Sequence, residues 1–170
     1  MHDDILHNDL HRNLDSLAIK TAKVLLKSAN VLVTAESCTG GWVAKLMTDI
    51  AGSSAWFDRG FVTYTNQSKQ ELLHVSSESL AQYGAVSEQV VKEMTTGALA
   101  NSSATFALAI SGIAGPSGGS QDKPVGMVCF SWQVLGESSE EETQFFTGDR
   151  HAIRVQAVYY ALEKIIKKIK

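Results

Sequence analysis

Apolar residues along this chain change their spacing several times, and each change marks an element. Leu10, Leu14, Leu17, Thr21 and Leu25 recur at helical spacing with Lys20, Lys23 and Lys27 turned away, which predicts an amphipathic helix over residues 9–28. Val31, Leu32 and Val33 read as a buried strand over 31–35, and Val43, Leu46, Met47 and Ile50 as one face of a helix over 39–50 opened by Thr39, Gly40 and Gly41. A Gly52-Ser53-Ser54 turn leads to aromatic and β-branched residues from 56 to 64, a second strand. Asn66 is placed as the N-cap of a helix to Leu73, and Val75 and Leu80 as a hydrophobic staple around Ser76 for a shorter helix that Gly84 stops. Val86, Val90, Met94, Ala98 and Leu99 predict another long helix, and the continuous apolar run 105–111 a strand at the centre of the sheet. Residues 112–126, GIAGPSGGSQDKPVG, hold both prolines and must be a loop. Strands at 127–134 and 142–146 form a hairpin across GESSEEE, and Val158, Ala161, Leu162, Ile165 and Ile169 close the chain as a helix with lysines at its C-terminal end.

Helices and strands interleave without repeats or linkers, so the expected fold class is α/β, a three-layer α/β/α sandwich with a mixed sheet. One domain spans residues 1–170, with 1–8 expected as a flexible tail. At 170 residues and 44% hydrophobic composition a single core is expected, burying roughly 70% of the unfolded surface. A net charge of -3 lacks the basic footprint of a nucleic-acid binder. The N-terminus has neither the basic start nor the apolar run of a secretory signal, and no segment reaches the ~20 apolar residues of a membrane span, so a soluble cytoplasmic protein is expected. Cys38 and Cys129 form no CxxC and no zinc ligand set. His7 and His11 stand at i and i+4 but lack the Glu of HExxH, and read as solvent-facing; no metal and no cofactor are expected.

Candidate chemistry concentrates at residues 33–42, VTAESCTGGW, where a strand meets a glycine-closed turn. Ser37 sits at the strand's end, and the N–H groups of Cys38, Thr39 and Gly40 are placed to meet a phosphate oxygen or an oxyanion. The same residues also suit a plain N-cap. A serine nucleophile needs a base. His151 with Asp149 is one arrangement, and Gly115-Pro116-Ser117-Gly118-Gly119 matches GxSxG, but Ser117 is followed by more loop instead of a helix. Lys69, in the first turn of the helix after Asn66, is the other. Bringing its amine from about 10.4 to about 7 requires roughly 4.6 kcal/mol, far beyond the roughly 0.3–1 kcal/mol of a helix end, so burial beside Ser37 and Tyr64 must supply the rest. An ordinary exposed lysine remains the competing reading. Asp149 is a natural N-cap, and Arg150 beside it, with Arg154 one turn on, suits a bound anion or simply solvent.

Four separated segments, AESCTGGWVAKLMTDIAGSSAWFDRGFVTYTNQSK, AISGIAGPSGG, KPVGMV and FTGDRHAIR, closely resemble the CinA C-terminal domain family, particularly its stand-alone bacterial members that act as nicotinamide-nucleotide amidases. The resemblance runs from about residue 9 to the end. It implies hydrolysis of the carboxamide of nicotinamide mononucleotide to nicotinic acid mononucleotide and ammonia, in pyridine-nucleotide recycling. By the same resemblance Ser37 is the nucleophile, Lys69 the general base and Tyr64 a hydroxyl that relays or orients the proton. Thr39, Gly40 and Gly41 shape the oxyanion pocket, Ser111, Gly112, Ile113 and Ala114 wall the nucleotide, and Arg150 holds the phosphate. Glu36 is a complication, because a carboxylate near Lys69 would raise its pKa unless it points elsewhere. The implied partner is a small-molecule nucleotide, with a homodimer or larger homo-oligomer as the assembly. The rival reading is a non-catalytic nucleotide-binding regulatory or competence-associated module.

Overall fold

The two faces of the central strands carry side chains of different size, and that asymmetry organises the molecule. In β3 (Phe106–Gly112), Phe106, Leu108 and Ile110 enter one apolar core while Ala107 and Ala109 enter the other. Strand β4 (Met127–Val134) repeats the pattern, with Val128, Phe130 and Trp132 on the large-residue side and Cys129 on the small. This is the period-two geometry of a strand acting on a buried sheet. Helices α1 (His2–Lys27), α2 (Trp42–Thr48) and α6 (Arg150–Lys168) cover the large-residue face. Helices α3 (Asn66–Leu73), α4 (Ser77–Tyr83) and α5 (Glu88–Ala100) cover the other. Alanines on that side let α5 lie close, and a Cβ built on Gly97 would stand 1.9 Å from the Leu73 carbonyl oxygen, so α5 can cross the end of α3 only through a glycine.

The computed structural model describes the backbone of residues 2–169 and the side chains of residues 13–169. Its sheet has the order β2-β1-β3-β4-β5, where β1 is Leu32–Glu36, β2 Phe57–Val62 and β5 Glu140–Phe145. β2, β1 and β3 run parallel, and β4 and β5 continue antiparallel. The expected α/β/α sandwich with a mixed sheet is therefore present, and β3 is its central strand. Among the described residues no helix is long and apolar enough to cross a membrane.

Several boundaries differ from expectation for local reasons. Helix α1 begins at His2 instead of near residue 9, so the backbone of residues 2–8, expected as a tail, is helical; neither glycine nor proline stands before Gly40 to interrupt it. The side chains of His7 and His11 lie outside the described residues. Helix α2 begins at Trp42, not 39, because Gly40 and Gly41 take left-handed φ values of 63° and 90° that no helix accommodates. The N-cap of α3 is Thr65, not Asn66: its hydroxyl accepts from the Ser68 amide at 3.1 Å, while the Ser68 hydroxyl accepts from the Thr65 amide at 3.1 Å. Strand β5 begins two residues early, at Glu140, where Lys168 of α6 pairs with its carboxylate.

Candidate active site

Helices leave the ends of the adjacent parallel strands β1 and β2 toward opposite faces, α2 to one and α3 to the other. Such a divergence opens a crevice beyond the strands' carboxyl ends. Ser37 stands there, its amide bonded to Ile110 O at 2.9 Å, which carries the β1–β3 ladder one residue past the strand. Lys69 reaches it from the first turn of α3. Its Nζ lies 3.0 Å from Ser37 Oγ and 2.7 Å from the Thr63 carbonyl oxygen. The lysine is only 1% exposed, and burial lowers its pKa from 10.5 to about 8. Thirty-two positions separate the pair in sequence; the fold makes them neighbours.

Lys69 is thus not the exposed lysine that its type most often is. The lowering equals roughly 3 kcal/mol at 1.36 kcal/mol per pKa unit, and desolvation dominates it. A neutral lysine amine has two N–H donors and one lone pair. With one N–H committed to Thr63 O, the lone pair is free to face the Ser37 hydroxyl. The neighbouring Cys38 thiol is pushed up to about 12, first by burial and then by the Glu36 charge, so it offers no competing nucleophile.

Glu36 resolves as a structural group. Its Oε2 accepts from the Thr39 hydroxyl at 2.7 Å and the Val43 amide at 3.1 Å, and its Oε1 from the Ala44 amide at 2.9 Å. The carboxylate is turned into the start of α2 and is no cause of the Lys69 shift. Of the three expected anion donors, the Gly40 amide is taken, closing on Ser37 O at 3.0 Å, and the Val43 and Ala44 amides of α2 are occupied by the protein's own carboxylate. Apart from the contact of the Cys38 amide with its own sulfur, the amides of Cys38 and Thr39 donate to no acceptor among the described residues and stand beside Ser37.

The remaining residues divide. The Arg150 guanidinium donates from Nη1 to Gly115 O and from Nη2 to the Tyr64 hydroxyl, each at 2.8 Å. Tyr64 is 58% exposed, and no hydrogen bond joins it to Ser37 or Lys69 among the described residues. Arg154 instead donates to Cys38 O and Thr39 O, both at 3.0 Å, with its guanidinium carbon 5.3 Å from the Trp42 ring centroid. Ser111 is buried and its hydroxyl donates to Ala85 O at 2.7 Å. Ile113 pairs in both directions, its amide with Met127 O and its carbonyl with the Gly126 amide, and Ala114 is buried in the core. At Gly112 a Cβ would stand 2.7 Å from Val128 Cγ2 and 3.1 Å from Cys38 Sγ, so that strand end touches the Ser37 turn directly. Gly41 faces Val62, whose Cγ2 would be 3.1 Å from an added Cβ.

The GxSxG arrangement does not assemble as an elbow. Ser117 is exposed in an irregular loop over 113–126, Gly112 of the expected loop being the last residue of β3, and no helix stands behind it. Asp149 is committed to capping α6 through the Ala152 amide at 2.8 Å. Among the described residues no group of three or more His, Cys, Asp or Glu side chains is placed to hold a metal ion. Sequence reasoning did not identify Thr63, whose carbonyl holds the amine, nor the tie between Arg154 and the turn. For Glu36 a signal existed, an acidic residue just ahead of a helix start.

The sequence profile described as "CinA C-terminal domain" matches residues 14–169. A protein of Escherichia coli K12 called "Nicotinamide-nucleotide amidohydrolase PncC" is 52% identical over 152 residues, covering 89% of this chain and 92% of its own. One of the same name from Enterobacter agglomerans is 50% identical, covering 92% of this chain and 96% of its own. A crystal structure of a "Competence-Damaged Protein (CinA) Superfamily Protein" from Klebsiella pneumoniae superposes with a TM-score of 0.88 at 40% identity, over 92% of this chain and 97% of that one. With a profile match of that span and relatives this similar over most of its length, the chain belongs to the CinA C-terminal domain family.

Proposed function

We propose that this protein hydrolyses the carboxamide of nicotinamide mononucleotide to nicotinic acid mononucleotide and ammonia, with Ser37 as nucleophile and Lys69 as general base. The observation that carries the reading is the 3.0 Å contact between Ser37 Oγ and the amine of a buried lysine whose pKa falls to about 8. At neutral pH roughly a tenth of that amine is uncharged, against a few parts in ten thousand for an unperturbed lysine. The names of the relatives support the substrate: proteins 45–52% identical are called nicotinamide-nucleotide amidohydrolases.

In the first half-reaction Ser37 Oγ bonds to the carboxamide carbon as its proton passes to Lys69 Nζ, and the carbonyl oxygen becomes an oxyanion facing the Cys38 and Thr39 amides. Collapse breaks the C–N bond, and the proton on Lys69 leaves with ammonia. Water then attacks the acyl-enzyme, giving one proton to Lys69, which returns it to Ser37 as nicotinic acid mononucleotide departs. Thr63 O holds the amine in place through both steps. Arg150, exposed at the mouth and linked to the Tyr64 hydroxyl, is the group we assign to the phosphate, since a guanidinium meets phosphate oxygens in pairs. Tyr64 then orients Arg150 and borders the substrate; the geometry gives less support to a proton-relay role. Ser111 to Ala114 shape the wall through their backbone, and Thr39, Gly40 and Gly41 form the turn that carries the oxyanion donors.

The test is release of ammonia from nicotinamide mononucleotide by the purified protein in the presence of a chelator, lost in Ser37→Ala and in Lys69→Ala and retained in Ser117→Ala. Binding of the nucleotide without turnover over hours, or unchanged turnover in either dyad variant, refutes the proposal.

A further inference from the structure

The turn from Ser37 to Gly41 belongs to no helix and no strand, and its only internal backbone pairs among the described residues are Gly40 N to Ser37 O at 3.0 Å and Trp42 N to Thr39 O at 3.3 Å. In a trans peptide the C=O of one residue and the N–H of the next point in opposite directions. The Cys38 and Thr39 carbonyls both converge on one guanidinium, that of Arg154 on α6, through Nε and Nη2 at 3.0 Å each. The Thr39 and Gly40 N–H vectors therefore both leave on the side away from Arg154. Gly40 N–H closes on Ser37 O at 3.0 Å, which in turn fixes the peptide carrying the Cys38 N–H. One side chain 116 positions downstream of Cys38 thus holds two consecutive peptide planes of the turn, the second together with the Trp42 amide, which meets Thr39 O at 3.3 Å. Two amides of the Ser37 turn, those of Cys38 and Thr39, are left with no acceptor among the described residues beyond the Cys38 residue's own sulfur.

The guanidinium is itself held. The Trp42 ring lies against it with 5.3 Å from centroid to guanidinium carbon, and Gly40, at a left-handed φ of 63°, packs beside Nη2. On the opposite side of the turn Glu36 grips the Thr39 hydroxyl at 2.7 Å. Two charged side chains thus clamp the segment that must stay still while charge develops on the substrate.

We infer that Arg154 is a positioning residue of the reaction, one that aims the Cys38 and Thr39 amides at the oxyanion and does not hold the substrate. The inference rests on the amidase reading above. It separates Arg154 from Arg150: both sit near the site, but Arg150 is exposed at its mouth and Arg154 spends two of its donors on the turn.

Steady-state ammonia release from nicotinamide mononucleotide by the whole protein tests it, comparing wild type with Arg154→Gln, Arg154→Lys and Arg150→Gln. Arg154→Gln is expected to lose kcat by about 10²-fold, the scale of one oxyanion donor, with KM held within about twofold. Arg150→Gln is expected to raise KM. Arg154→Lys keeps the charge and stem but cannot span two carbonyls, so it should also lower kcat. It carries the test if the glutamine variant melts at the assay temperature. A wild-type kcat in Arg154→Lys, or a raised KM with kcat unchanged in either Arg154 variant, overturns the inference while leaving the amidase reading intact. Absence of ammonia release by the wild type overturns the amidase reading, and the inference falls with it.

Discussion

Replacing Lys69 by methionine should abolish turnover and remove a pH-dependent part of the protein's stability, because the dyad is built on a lysine that the fold keeps from water. Met keeps an unbranched apolar stem as far as Cε and removes the amine. The wild-type amine is protonated below about 8 in the folded state and below 10.5 in the unfolded chain. Between those values the unfolded chain binds the extra proton, so wild-type stability rises with pH through that window and the penalty is fully present below about 8. Linkage with these two values makes the wild type gain about 2 kcal/mol between pH 7 and pH 9.5 that Lys69→Met does not gain. At pH 7 the relief of roughly 3 kcal/mol is partly offset, because Thr63 O and Ser37 Oγ lose their donor, at about 1–3 kcal/mol for a buried group left unpaired. The absolute difference at one pH is therefore small, and its change with pH carries the test. Urea melts of both proteins at pH 7, 8 and 9.5 measure it; the other titrating groups cancel in the difference. A difference constant within about 0.5 kcal/mol across that range would refute the claim that burial holds Lys69 near pKa 8.

Three further outcomes are expected. For the wild type, kcat/KM for ammonia release should climb about tenfold per pH unit below the Lys69 pKa of about 8 and level off above it; a flat profile from pH 6 to 8 removes the neutral amine from the mechanism. Glu36→Gln should cost about 2–3 kcal/mol, seen as a melting temperature lower by about 5–10 °C, since an amide nitrogen would replace one of the oxygens that accept from Thr39, Val43 and Ala44. An unchanged melting temperature contradicts the capping role. Gly97→Ala, which in an open helix would stabilise by about 1 kcal/mol, should here destabilise, because the new methyl meets Leu73 O at 1.9 Å. A higher melting temperature in that variant would show that α3 and α5 are not in contact as described.

Most of the fold was legible because its signals are local. The uninterrupted apolar run ending at Ile110 marked the central strand, and Ser76 and Gly84 bounded α4 as read from their types. The errors were local too. Thr65 replaced Asn66 as a cap because a hydroxyl one residue earlier closes a reciprocal pair with Ser68, and two glycines in left-handed conformation delayed α2 to Trp42. Ser37 was legible as a candidate from its place between a strand and a glycine-closed turn.

Other features depended on distance through space. By itself the sequence determined the elements, their apolar faces, the mixed α/β class and the identity of the groups able to react. It left open whether Lys69 is a surface cation or a buried base, which way Glu36 points, and which of two arginines one turn apart holds the turn. The tertiary structure decided those, because a pKa follows burial and neighbours, and the neighbours of Lys69 and of the Ser37 turn arrive from segments 32 and 116 positions away.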